Sequence, residues 1–257
     1  MVYIKKYFLR VISLLRMLFS NILDVSSCLI CEKRIFSATP ICSSCIKKIF
    51  YKPLAHKLAL PQHYCSKCSA LLISEHTLCF SCKELIKEKN PIKNNPINRS
   101  FFLYPYIKEY VDIVLYWKNE NIRTLSPFFA FLIAKFIKKH PIFQEYAIIP
   151  VPPRPKKLKV LGWDHMEDIS TFLECYYHLP ILRVLARNDG HTQKGLSKKE
   201  RELNVIGQFY IKKGAKIPKK AIILDDVITT GSTITMCASL LKKEGAIDVI
   251  PLLLFSN

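Results

Sequence analysis

Residues 221–233 read AIILDDVITTGST, and this run constrains the chain most. Ala221 to Leu224 is apolar around the β-branched Ile222 and Ile223, as expected of a buried parallel strand. Two carboxylates, Asp225 and Asp226, stand at its C-terminal end. Val227 and Ile228 lead into a turn of Thr229, Thr230, Gly231, Ser232 and Thr233, and an apolar-periodic helix is expected from about Thr233 to Lys243. In open α/β sheets, ligands bind beyond the carboxyl ends of the strands. Small residues there let backbone N–H groups close around a phosphate at a helix start, and the hydroxyls add bonds. The carboxylates would repel that phosphate. They must face hydroxyls or a Mg²⁺ ion, so the pattern describes a ribose 5-phosphate ligand.

These residues resemble the 5-phosphoribosyl-1-pyrophosphate (PRPP) motif of type I phosphoribosyltransferases. The resemblance implies that Asp225 and Asp226 hold the ribose hydroxyls and the metal-bound sugar, and act at the catalytic centre. It also implies that Thr229 to Thr233 form the 5-phosphate loop, with Val227 and Ile228 among the ligand-binding residues. Val151 and Pro152, after an expected strand Tyr146 to Val151, supply a second turn at the ligand, and Lys118 with the segment Arg187–Arg201 is able to close over it.

Residues 28–82 carry a second constraint. Eight cysteines form four C-x-x-C pairs: Cys28/Cys31, Cys42/Cys45, Cys65/Cys68 and Cys79/Cys82. Each position in the first half recurs 37 residues later, an internal duplication. The spacing suits zinc ribbons, in which two thiolate pairs close a tetrahedron around one Zn²⁺. Four sulfurs leave no open coordination position, so the sites read as structural. Disulfides are the competing reading, but twice-repeated C-x-x-C pairs fit metal better. Sequential pairing is preferred over an interleaved one, with Cys28, Cys31, Cys42 and Cys45 on one ion and Cys65, Cys68, Cys79 and Cys82 on the other. His56, His63 and His76 break the repeat and read as surface residues.

Around these features the chain divides into a helix over 1–24, a double ribbon over 25–85, a linker over 86–98 and an α/β domain over 99–257. The first segment is amphipathic. Ile4, Phe8, Val11, Leu15, Leu18 and Ile22 share one face. It reads as a docked helix, with membrane-surface contact next and a secretory signal last, since Arg16 and Asp24 interrupt a signal core. In the α/β domain, strands are expected over 101–106, 182–186, 208–211 and 247–255, and helices over 107–117, 125–139 and 164–177. Asp164 is the expected N-cap. Pro251 marks the last strand as an edge. The alternation argues a parallel sheet covered by helices on both faces.

The segment PVPPRPKKLKVLGWDHMEDI at 150–169 and RNDGHTQKGLSKKERELNVIGQF at 187–209 narrow the resemblance. Gln193, Leu196, Ser197, Arg201, Asn204, Val205 and Phe209 match a signature of the ComF family, whose members also carry an N-terminal double zinc ribbon. The fold implied is a type I phosphoribosyltransferase-like sheet behind two ribbons. The function implied is natural competence: handling incoming single-stranded DNA in the cytoplasm, with PRPP and Mg²⁺ as ligands. A competence helicase or recombination mediator is an implied partner, and residues 1–24 would give weak contact with the inner membrane face. The chain departs from the family at Leu161, where an Arg is usual, and at Asp164-His165, where Asn-Gln is usual. Lys156, Lys157 and Lys159 supply point charges in place of the missing fork.

The net charge of +19 over 257 residues favours an anionic partner. Bound zinc would leave the chain basic. Lys residues with aromatics such as Tyr64 or Phe80 suit nucleic-acid backbone and stacked bases. Two other functions stay open at this level. One is a phosphoribosyltransferase with a nucleobase or amine acceptor. Thr229 stands where 6-oxopurine enzymes commonly carry an Asp, so that class is disfavoured. The other is a PRPP-sensing regulator without chemistry.

Overall fold

The computed structural model describes residues 26–36, 39–51, 97, 100–105, 108–188, 208–228 and 231–256. Several sequence expectations lie outside them: the helix over 1–24, nearly all of the linker, residues 189–207 and Thr229–Thr230. The expected second zinc set, Cys65, Cys68, Cys79 and Cys82, also lies outside the described residues, as do Tyr64 and Phe80.

The described chain begins with a two-residue antiparallel pair, β1 (Ser26–Ser27) and β2 (Arg34–Ile35), then a short helix α1 (Ser43–Ile46) and a π-turn, Lys47–Tyr51. The α/β part follows in the order β3 (Phe101–Pro105), α2 (Lys108–Lys118), α3 (Leu125–Lys139), β4 (Ala147–Pro150), α4 (Pro155–Leu161) and α5 (His165–Cys175). It continues through β5 (Leu185–Arg187), β6 (Phe209–Ile211), β7 (Lys220–Ile228), α6 (Ser232–Lys243) and β8 (Asp248–Ser256).

Strands β3, β8, β7 and β4 lie side by side in that order, all parallel. β5 and β6 form a separate antiparallel pair. Strand geometry sends successive side chains to opposite faces, and both faces of this sheet are apolar. Ile148, Ile222, Leu224, Ile250, Leu252 and Leu254 pack with residues of α2, α3 and α5. Ile149, Ala221, Ile223, Val249 and Leu253 pack with α6 and the β5–β6 pair. Burial on both sides is why these strands are continuously hydrophobic.

β8 is central, not an edge as Pro251 suggests from sequence. The register explains it. Pairing with β3 starts at Leu252, opposite Phe101, so among the described residues β8 up to Pro251 pairs with β7 alone. A missing N–H on the open side removes no ladder bond.

Phe50 anchors the cysteine segment on this body, in a core that Ile35 and Ile41 share. Phe50 is fully buried, with its ring edge-on to Tyr104 at 5.2 Å, Tyr110 at 5.5 Å and Phe128 at 4.9 Å. Tyr104 Oη donates to the Phe50 carbonyl (3.1 Å) and Tyr110 Oη to the Ile49 carbonyl (2.7 Å). The phenols thereby give these two carbonyls hydrogen-bond donors.

Candidate functional site: an acid pair at the end of a central strand

β7 carries its two carboxylates at the C-terminal end of the sheet, where the sequence places them. The period of two then separates them. Asp226 follows Ile222 and Leu224 toward α2 and α5, whereas Asp225 follows Ala221 and Ile223 toward α6 and β5.

Asp226 is buried and fully engaged. Its Oδ2 lies 2.8 Å from Lys118 Nζ and 2.7 Å from His165 Nε2, and its Oδ1 accepts from the Val227 N–H at 2.5 Å. With the carboxylate ionised, the imidazole Nε2 donates. Burial alone would push this carboxyl up. The hydrogen bond from His165 and the charge of Lys118 outweigh it and pull the group down to about 2.

Asp225 is the opposite case. Its Oδ1 accepts from the Asp226 N–H at 2.9 Å, and among the described residues its Oδ2 has no hydrogen-bond partner. Burial, then repulsion from Asp226, push it up to about 8. Their surroundings thus push the two carboxyls in opposite directions, Asp225 up and Asp226 down. Asp225 also pushes up the buried Cys237 thiol on α6, whose first cause is burial. Arg187 lies within electrostatic reach of both Asp225 and Arg154.

The elements around the pair follow from local sequence. Asp164 caps α5, its Oδ1 accepting from the N–H groups of Met166 (2.9 Å) and Glu167 (3.2 Å). That cap aims His165 at Asp226, and the Trp117 ring lies edge-on to the imidazole at 4.8 Å. Lys118 is the last residue of α2, directly after Trp117, whose indole N–H donates to Ser126 Oγ at 2.9 Å. Val151 donates its N–H to the Leu224 carbonyl at 2.9 Å, which sets the Val151–Pro152 turn beside the end of β7. Gly231 adopts φ 76 immediately before α6, a left-handed conformation that costs other residues about 1–2 kcal/mol. Ser232 and Thr233 form the first turn of that helix.

The expected site residues Asp225, Asp226, Val227, Lys118, Val151, Pro152, Gly231, Ser232 and Thr233 thus gather at one end of the sheet. Thr229 and Thr230 lie outside the described residues, and of Ile228 only the backbone is described. His165 is an addition. Its sequence signal was the departure from the family's Asn-Gln, which gave no hint that the imidazole reaches Asp226. Arg187 opens the segment Arg187–Arg201 that the sequence offers as a cover for the site. The register pairs it with Phe209, so both ends of the 187–209 segment return to the Asp225 side of the sheet. Lys156, Lys157 and Lys159 ride on α4, which buries none of its residues.

The first cysteine set forms a separate centre. The Sγ atoms of Cys28, Cys31, Cys42 and Cys45 all lie within 4.8 Å of one another, and Cys31 and Cys42 Sγ are 3.8 Å apart. All four thiols are free of disulfides. Zinc–sulfur bonds of about 2.3 Å at tetrahedral angles put sulfurs about 3.8 Å apart, so the set fits Zn²⁺. Backbone N–H groups of Cys42 and Cys45 point at Cys28 Sγ (3.3 Å) and Cys42 Sγ (3.4 Å). Against its burial, such donors pull the Cys28 thiol down to about 6. The four belong to the two nearest pairs in sequence, as sequential pairing requires. Among the described residues this is the one group with metal-ligand geometry. The expected second set does not join it: Cys65, Cys68, Cys79 and Cys82 fall outside the described residues, so one of the two expected zinc sites has a geometry here.

Comparison with known proteins adds the following. No family model matches the chain. Competence protein ComFC of Streptococcus pneumoniae is 27% identical over 185 residues, covering 72% of this chain and 77% of that protein. Competence protein F of Haemophilus influenzae is 26% identical over 218 residues, covering 81% and 87%. The chain is a relative of the ComF competence proteins. One solved structure, an asparagine mutant from work on an invariant aspartic acid in HPRTs, superposes with a TM-score of 0.32. It is 16% identical and spans 53% of this chain and 66% of that one. In this ComF relative no helix among the described residues is long and apolar enough to cross a membrane.

Proposed function

We propose that this chain serves natural competence by handling incoming single-stranded DNA in the cytoplasm. In this reading its sheet domain is phosphoribosyltransferase-like and takes PRPP, or another ribose 5-phosphate ligand, with Mg²⁺. The competence part is supported by two relatives named as competence proteins. The ligand part rests on one observation: Asp225 and Asp226 lie near the C-terminal end of a central strand, the next helix starts at a glycine, and Lys118 pairs with Asp226. Asp225 has an uncommitted carboxylate oxygen to offer a sugar hydroxyl or the cation. The N–H groups at the start of α6 suit the 5-phosphate. One carboxylate is enough for Mg²⁺, which commonly relies on substrate phosphates for its other ligands. When bound, Mg²⁺ would offset charge on a departing pyrophosphate. Asp226, pinned by Lys118 and His165, orients the strand end and exchanges those donors for ribose hydroxyls when the sugar arrives.

Calorimetric titration with Mg²⁺ and PRPP tests the ligand. The wild-type chain is expected to bind, and Asp225→Asn with Asp226→Asn to lose at least tenfold in affinity. Unchanged binding by that double variant sinks the site. Salt-titrated binding of an oligo(dT) tests the DNA role. Affinity should fall steeply with salt, by about 0.7 in log–log slope per phosphate contacted.

A further inference from the structure

The outer face of α3 is unlike the rest of that helix. Leu125, Phe128, Phe129, Leu132, Ile133 and Phe136 are buried, whereas Lys135, Lys138 and Lys139 are exposed. The helix contains no acidic residue, and among the described residues none of the three lysines pairs with a carboxylate. The ammonium groups of Lys135 and Lys138 meet aromatic rings instead. Lys135 Nζ lies 4.2 Å from the Tyr51 ring centroid and 5.8 Å from that of Phe131, and Lys138 Nζ lies 5.9 Å from that of Tyr177. Tyr176 stacks edge-on against Tyr177 at 5.1 Å and is 73% exposed; Tyr51 is 46% exposed. Beyond Tyr51, the same turn presents exposed Lys47 and Lys48, directly after the cysteine knuckle.

Lysines at a helix C-terminus are ordinarily explained by the carbonyl dipole. That covers Lys138 and Lys139. It does not cover Lys135, which precedes the last turn, or the exposed Tyr51 and Tyr176 and half-buried Tyr177 clustered with them. Alternating cations and open aromatic faces are what an extended strand with splayed bases needs: point charges for phosphates and platforms for stacking. A duplex keeps its bases stacked inside and would leave the rings unused.

We propose that this face of α3 is a single-stranded DNA surface. Phosphates lie against Lys135, Lys138 and Lys139, and bases stack on Tyr51 at one turn and on Tyr176–Tyr177 at the next. The assignment rests on the DNA-handling reading above and gives that activity a place on the sheet domain, continuous with the metal knuckle.

The test uses the full chain, its zinc retained, and a fluorescent oligo(dT) followed by anisotropy across a salt series. Lys135→Glu with Lys138→Glu is expected to weaken binding about tenfold or more. It should also flatten the log–log salt slope by about 1.4, the value for two lost phosphate contacts. Tyr176→Ala, at an exposed position that leaves the fold intact, is expected to weaken binding about fivefold or more with the slope unchanged. Lys216→Glu with Lys243→Glu makes the same change in net charge elsewhere and should leave affinity within about twofold of wild type. Wild-type affinity and slope in the α3 variants overturn the surface while leaving the DNA activity standing. Equal loss in the control pair overturns it too, since net charge would then account for the effect. If the wild-type chain does not bind oligo(dT), both the surface and the DNA-handling reading fall.

Discussion

His165 Nε2 and Asp226 Oδ2 stand 2.7 Å apart, joining the first turn of α5 to the end of β7. The contact is made by a residue at which this chain departs from its resemblance family, and it holds a carboxylate that the same resemblance assigns to the sugar.

Removing that donor tests the arrangement. Asp226 is held below its ordinary value, so its contribution to stability is present above pH 3.8 and is lost as pH falls toward about 2. His165→Ala should raise the Asp226 carboxyl and destabilise the chain at neutral pH by roughly 1.5–3 kcal/mol, the range for a hydrogen bond to a charged group. His165→Gln retains an N–H donor and should recover much of the loss. Urea unfolding of the three proteins at pH 7 checks this. Equal midpoints for His165→Ala and wild type would mean that the contact does not stabilise the strand end.

Asp225 carries the opposite sign. Its folded value is raised to about 8 from 3.8, so the stability it contributes is full below pH 3.8 and disappears as pH rises through about 8. Without Mg²⁺ or ligand, Asp225→Asn should match wild type near pH 4. It should exceed wild type by about 1 kcal/mol or more at pH 8, because the amide never has to ionise in a buried place beside Asp226. Guanidinium midpoints at pH 4, 6 and 8 read this directly. A gap that fails to widen with pH refutes the shift. The same variant is expected to lose PRPP, the trade common where a site stores destabilising charge.

Phe50 links the cysteine cluster to the sheet. Chelation of zinc should lower the thermal midpoint. It should also raise amide exchange at Leu103–Tyr104 and around Tyr110, which pack on or bond to the 49–50 segment. Phe50→Ala should cost about 3–5 kcal/mol through the cavity it leaves and reproduce that exchange pattern with zinc still bound. Unchanged protection at those amides after metal loss would show that the ribbon and the sheet are energetically separate.

Local pattern alone determined a good deal. The unbroken apolar run at 221–224 read as a doubly covered strand, because burial on both faces removes alternation. Asp164 read as a cap because its short carboxylate matches the free N–H groups of a helix start. The spacing of Cys28, Cys31, Cys42 and Cys45 read as one metal set, since two knuckles of that span close a tetrahedron. These features depend on neighbours no more than 17 positions apart in the chain. Only the tertiary structure decided that β8 is central despite Pro251, because strand order depends on which partner begins where. It also decided that Asp225 and Asp226 part to opposite faces, that His165 joins Asp226 across 61 positions, and that Tyr51 and Tyr177 meet lysines of one helix. Those relationships arise when distant segments pack against a shared sheet, and no local period in the chain records them.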